Sequence, residues 1–241
     1  MKARINDRWE LELPNDRAVF HAEQKDWEKE RLDSMYKNIR KGDVVVDIGT
    51  EVGDYAALFS LWGANMICVE PEPKFWPTIK QHFDLNGVKP LGCFAGFASD
   101  ITDLNPPRPN FGAGNNGIWP FVAEGSPEDW HGFRNKIETA DATPQTTVDD
   151  LMIEYIGCDI MTIDVEGAEI SVLAGANRII TTEKPLVYVS IHPEMMMNDY
   201  GATPQDLFRY MGTYGYRKHF IHTDHEEHWV FYHPNGKAFV S

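Results

Sequence analysis

The sequence predicts an α/β protein, a mostly parallel sheet with helices packed on it. Three observations predict this class. Val44-Val45-Val46 opens an apolar run that reaches Ile48 without period-2 alternation, as a parallel strand covered on both faces requires. Gly49 and Gly53 follow at once, where a tight strand-to-helix turn needs backbone freedom. Strand-like and helix-like segments then alternate as far as residue 191, and an alternating hairpin pattern closes the chain.

Composition bounds the possibilities. A chain of 241 residues is ample for one α/β domain with a large core. We read residues 1–41 as an N-terminal strand-and-helix module and residues 42–241 as the main domain, with a loop-rich insertion at 101–145. The apolar share of 42% with 24% charged residues is that of a globular chain. A formal charge of −15 argues against nucleic acid and against anionic membrane surfaces as partners. Cys68, Cys93 and Cys158 form no C-x-x-C and lie in or beside apolar segments, so buried reduced thiols are expected. MKARINDRWELELPND has no apolar core for a signal peptide, and no run has transmembrane length. A soluble, cytoplasmic protein is expected.

The elements follow in order. Trp9 to Leu13 alternates like a half-exposed strand. Asp26 to Lys41 places Trp27, Leu32, Met35, Tyr36 and Ile39 near helical spacing, with its charged residues read as a solvated face. After the strand ending at Ile48, a helix spans Tyr55 to Trp62 and stops at Gly63. Asn65 to Glu70 is the second strand. Phe75, Ile79 and Phe83 mark a helix that Asn86-Gly87 terminates. Leu91 to Asp100 is the third strand. The segment 101–145, with its GAGNNG cluster and Trp119, Phe121, Trp130 and Phe133, reads as a lid or substrate-contacting loop. Asn105-Pro106-Pro107-Arg108 is similar to the N-P-P-aromatic motif of base N-methyltransferases, but Arg108 replaces the aromatic and it precedes the fourth strand. It is a decoy. Thr147 opens a capping box with Asp150, Asp159 to Asp164 is the fourth strand, and VEGAEISVLAGANRI follows as turn and helix. Leu186 to Ile191 is the fifth strand. Thr203 caps a helix with Pro204 first and Asp206 three residues on.

The glycine spacing narrows the ligand. Dinucleotide sites use G-x-G-x-x-G, whose close-set glycines seat a pyrophosphate. Here Asp47-x-Gly49-x-x-x-Gly53 places two glycines and an acid, Glu51, which repels pyrophosphate and attracts an ammonium group. S-adenosylmethionine carries an ammonium and a sulfonium and no phosphate. Glu70 lies 23 positions beyond Asp47 at a strand end, placed to accept two ribose hydroxyls. Ser99-Asp100 would lie beside the adenine. Asp47, Glu70, Asp100, Asp164 and His192 are expected at the carboxyl ends of parallel strands, along one edge of the sheet.

DIGTEVGDY, TTVDDL, IDVEGAEISVLAGA and VSIHPE together resemble the FkbM family of O-methyltransferases, over about Trp9 to Pro234. The resemblance implies a Rossmann-like class I methyltransferase fold with a seven-stranded sheet whose last strand is antiparallel. It implies S-adenosylmethionine as donor and a hydroxyl acceptor, on a sugar, a glycan or a glycosylated small molecule. The cofactor set it implies is Asp47, Gly49, Glu51, Gly53, Tyr55, Glu70, Pro71, Ser99, Asp100 and Asp164. For the chemistry we expect His192 as general base with Asp164 orienting it, without metal. The alternative puts magnesium on Asp164, Glu166 and His192. Glu169 is read as only favouring its helix N-terminus. His222, His225 and His228 with Asp224 are read as a solvated polar turn rather than a zinc site, because no Cys is near. Two other classes remain: an NAD-dependent enzyme, against which the glycine spacing stands, and a cofactor-binding or assembly protein without turnover.

Overall fold

The computed structural model describes residues 1–103 and 144–241. The Asn105–Arg108 decoy and the aromatics Trp119, Phe121, Trp130 and Phe133 lie outside the described residues. The architecture is a Rossmann-like sheet flanked by helices. The main sheet has seven strands. In chain order they are β3 (Val44–Ile48), β4 (Asn65–Val69), β5 (Gly92–Phe94), β8 (Ile160–Ile163), β9 (Leu186–Ile191), β10 (Arg217–Thr223) and β11 (Glu227–Tyr232). Their spatial order is β10-β11-β9-β8-β3-β4-β5. β5, β4, β3, β8 and β9 pair in parallel, and β11 enters antiparallel to β9, as expected of the last strand. All five residues of β3 are buried, which explains its unbroken apolar run.

The period-2 geometry of the strands divides the core. Val45, Met66, Cys68, Ile160 and Tyr188 face one side, with Leu13, Leu32, Met35, Phe59 and Ile79. Val44, Val46, Ile48, Met161 and Val189 face the other, with Val172, Ile179, Met196 and Leu207. The first side carries the N-terminal segment: a hairpin of β1 (Lys2–Ile5) and β2 (Trp9–Glu12), then α1 (Asn15–Glu23) and α2 (Lys29–Asn38). α3 (Asp54–Leu61) and α4 (Trp76–Leu85) complete that side. The opposite side carries α5 (Val148–Leu151), α6 (Glu169–Ala174), α7 (Asn177–Thr182), α8 (Pro193–Tyr200) and α9 (Pro204–Thr213).

Several expectations change in detail. α2 starts at Lys29, not Asp26, because Glu28 adopts φ +50 and breaks the helical path, so Trp27 leaves the helix. The expected third strand divides. After β5 the chain bends at Ala95–Gly96, and β6 (Phe97–Ala98) pairs with β7 (Gln145–Thr146) in a separate sheet. Thr147 caps α5 by accepting from the Asp150 amide at 3.0 Å, whereas Thr203 and Asp206 form the full reciprocal box on α9. The helix after β8 breaks into α6 and α7 around Gly175–Ala176. β1, α1 and α8 were not foreseen. The three cysteines are free and buried, as expected. Among the described residues no helix is long and apolar enough to cross a membrane.

Candidate active site

Strand order reverses between β3 and β8, and open α/β sheets bind ligands at the carboxyl ends of strands at such a point. A cleft opens there. Asp47, Gly49, Thr50, Glu51, Tyr55 and Asp164 line it from the sheet and its loops, and Arg17, Trp27, Glu28 and Arg31 from the N-terminal segment. Asp47 is buried on the side that faces α2, in register with Thr162 of β8. Burial pushes its carboxyl up to about 6, against the lowering pull of Arg31. Gly49 has φ +87, and a Cβ there would lie 1.8 Å from the Asp164 carbonyl oxygen. The glycine therefore serves the close approach of the β3 and β8 turns. Gly53 contributes indirectly: a Cβ would press on Ile79 of α4 at 3.0 Å.

Glu70 ties the loop together. Its Oε2 accepts the Glu51 amide at 2.8 Å and its Oε1 the Glu72 amide at 2.7 Å. Each oxygen keeps a second lone pair for a ligand hydroxyl. Burial pushes this carboxyl up to about 7, although the two amides pull it down. Pro71 follows it, half-buried.

The N-terminal contribution was not legible. Arg31 is 5% exposed, pairs with Glu28 and donates to Thr162 Oγ1 at 2.5 Å. Arg17 and buried His21 both hold Asp54 at the start of α3, at 2.5 and 2.8 Å. Burial alone would raise Asp54, but these two partners hold it well below the usual carboxylate range. Two buried donors in this cleft, Arg31 Nε and Tyr55 Oη, have no hydrogen-bond partner among the described residues.

Beside the cleft, Asp164 meets His192 at the end of β9. His192 Nε2 lies 3.6 Å from Asp164 Oδ1 and 3.4 Å from Glu226 Oε2, and Nδ1 lies 3.0 Å from Glu169 Oε1. Burial favours a neutral ring, but Glu169, Glu226 and Asp164 outweigh it and push His192 up to about 10. Burial and then Glu226 raise Asp164 well above its ordinary value. Glu226 comes from the tip of the β10–β11 hairpin and was missed. Glu169 is completely buried, so its role exceeds the helix-terminus effect expected of it.

Other expected residues lie elsewhere. Ser99 and Asp100 sit past the bend after β5, so they leave the sheet edge on which Asp47 and Asp164 lie. Ser99 Oγ donates to Gln145 Oε1 at 3.1 Å, and Asp100 Oδ1 accepts from Ser171 Oγ at 3.0 Å. Glu166 is exposed at φ +55, outside the group that His192 joins. In the hairpin turn, His222 is half-buried, His228 is 1% exposed and bonded to Asp224 and Ser190, and Trp27 stacks on His225 at 4.0 Å. The turn is solvated at Thr223, Asp224 and His225, as expected, while the Trp27 stack packs one side of it on the N-terminal segment.

Comparison with known proteins gives the same frame. A methyltransferase FkbM from Methylobacillus flagellatus KT superposes with TM-score 0.52 at 17% identity, over 80% of this chain and 44% of that one. The chain thus spans less than half the length of that protein. A precorrin-6y C5,15-methyltransferase from Geobacter metallireducens GS-15 gives TM-score 0.47 at 8% identity, over 85% and 87% of the two chains. TrmK of M. capricolum, in complex with S-adenosyl-homocysteine, gives 0.41 at 13%, over 86% and 69%. No curated protein matches the sequence. The methyltransferase FkbM domain model matches residues 47–218, from Asp47 of β3 into the start of β10. The chain belongs to the methyltransferase FkbM domain family.

Proposed function

We propose that the protein transfers a methyl group from S-adenosylmethionine to a hydroxyl of a small-molecule acceptor of carbohydrate type. The observation that carries the donor reading is the composition of the cleft. Asp47, Glu51, Asp54, Glu28 and Asp164 outnumber Arg17 and Arg31, which suits a ligand with two cationic centres. The unpartnered Arg31 Nε and Tyr55 Oη are donors suited to the one anionic group of such a ligand, its carboxylate. Glu70 offers its free lone pairs to ribose hydroxyls. The residues fit the group.

When bound, S-adenosylmethionine supplies a sulfonium methyl to an attacking oxygen and keeps the electron pair of the broken carbon–sulfur bond. The chain must place that oxygen and let its proton go. Asp164 and His192 stand at the cleft wall where this is needed. Between Glu169 and Glu226 the His192 ring is held protonated near neutral pH until its Nε2 proton is displaced, so it is not the base expected. We assign the pair to holding the acceptor oxygen, whose proton leaves to solvent water as the methyl group is transferred.

The test is thermal denaturation with S-adenosylmethionine, S-adenosylhomocysteine and NAD. Stabilisation follows the free energy of binding, about 2.7 kcal/mol at 100 times Kd. The first two ligands should raise the transition and NAD should not. A shift with NAD alone would overturn the reading.

A further inference from the structure

We infer that Asp164, His192 and Glu226 form a site for one divalent transition-metal cation, Mn2+ or Zn2+ in preference to Mg2+. The three side chains come from the ends of β8 and β9 and from the hairpin tip. Each offers one ligand atom, and these atoms lie within 4.8 Å of one another. The separations of 3.6 and 3.4 Å at His192 Nε2 are long for hydrogen bonds. They approach the ~3.0–3.4 Å between neighbouring ligands around an ion with bonds of about 2.0–2.2 Å.

Two further observations point to an ion. The Glu226 side chain is only 10% exposed; its Oε1 meets His225 Nε2 at 2.7 Å, whereas its Oε2, aimed at His192, has no hydrogen-bond partner among the described residues. A buried carboxylate oxygen left that way calls for a cation, which is the His192 imidazolium or, once its Nε2 proton has gone to solvent, a metal ion. On the other side of the ring, Glu169 faces Nδ1 at 3.0 Å and is itself fixed by the Gly167 amide at 3.1 Å. A carboxylate behind a histidine, orienting its far nitrogen, is the usual outer support of a ligating imidazole. One imidazole and two carboxylates suit Mn2+ or Zn2+ better than Mg2+, which prefers oxygen alone.

The neighbouring group Asp224, His225 and His228 lacks this unmet demand. Asp224 Oδ1 already meets His228 Nε2 at 3.0 Å and the His225 amide at 2.6 Å, and His228 Nδ1 meets Ser190 at 3.2 Å. Three protein ligands leave coordination positions open. Asp164 lines the cleft, so an open position faces it. Resting on the methyltransferase reading, that position would take the acceptor hydroxyl, whose proton leaves to solvent water. An acceptor with two adjacent hydroxyls would fill two positions.

Protein stripped with EDTA, then dialysed, should be titrated calorimetrically with MnCl2, ZnCl2 and MgCl2, without donor or acceptor. Wild type should take up one Mn2+ or Zn2+ per chain, at least ~10-fold tighter than Mg2+. Glu226→Gln and Asp164→Asn should each weaken uptake at least ~10-fold, and Glu169→Gln by about 10–100-fold. Circular dichroism checks that each variant folds, and half-exposed Asp164 is the safer of the two ligand positions. His225→Gln removes only the partner of Glu226 Oε1 and should weaken uptake less than Glu226→Gln does. No uptake of either ion at about 1 mM overturns the inference. So does uptake that survives Glu226→Gln and is lost in His225→Gln, which would place the ion in the neighbouring group. Failure here leaves the methyltransferase reading intact, whereas Mn2+ uptake without stabilisation by S-adenosylmethionine would fault that reading alone.

Discussion

At the scale of single residues, burial sets the chemistry of this cleft more than identity does. Glu70 has its carboxyl raised to about 7 chiefly by burial. Its folded value exceeds its unfolded one, so its contribution to stability is largest below the unfolded value and falls as pH rises through the window to about 7. Ribose hydroxyls need the ionised form. Calorimetry should therefore show cofactor affinity rising as pH climbs through about 7, with proton release on binding, and Glu70→Gln should flatten that profile. A flat wild-type profile would remove Glu70 from the site. Tyr55 makes a separate case. Because its buried hydroxyl lacks a partner among the described residues, Tyr55→Phe should leave the free protein's stability unchanged or raised. The same change should weaken S-adenosylmethionine binding by about 12–160-fold, one hydrogen bond to a charged group. Loss of stability with unchanged affinity would mean that the hydroxyl serves the fold.

At the scale of elements, two contacts hold the cleft open and in register. Gly49 lets the turns after β3 and β8 touch, so Gly49→Val must displace the Asp164 backbone. Overpacking of this kind costs about 1–3 kcal/mol, and the positive φ adds to it. Urea denaturation should show that loss without any ligand, separating a structural glycine from one that only makes room for cofactor. Asp54 clamps α1 to α3 through Arg17 and His21. Asp54→Ala strands both partners, one of them fully buried, and should cost about 3–5 kcal/mol in the same experiment. Elements were the most legible level in the sequence. The runs at Val44, Asn65, Asp159 and Leu186 became β3, β4, β8 and β9 because a strand covered on both faces writes itself as apolar residues. The third strand was over-extended because Leu91 to Asp100 stays apolar across a bend that moves it into another sheet. The charged positions of residues 26–41 were read as a solvated face. Helical periodicity reports which side is apolar, and an arginine that points at strand ends has the same spacing as one that points at water. Glu226 was out of reach for another reason: it lies 62 positions beyond Asp164, and only the strand order brings them together.

At the scale of the whole molecule, the charge of −15 should keep nucleic acid away. Gel-shift at low salt, where electrostatic binding is strongest, should show no retained RNA or DNA, and clear retention at micromolar protein would refute this. The stack of Trp27 on His225 has a consequence in time rather than in space. It joins the beginning of the chain to a strand pair near its end, and β11 must slot between β9 and β10 to bring it about. Contacts so distant in sequence form late, because their loop-closure entropy is met only once the intervening chain is ordered. A nascent chain emerging from the ribosome would lack the Glu226 wall of its cleft until the β10–β11 hairpin was released. In refolding experiments, the fluorescence phase missing from Trp27→Phe should be the slowest, and recovery of cofactor binding should keep pace with it.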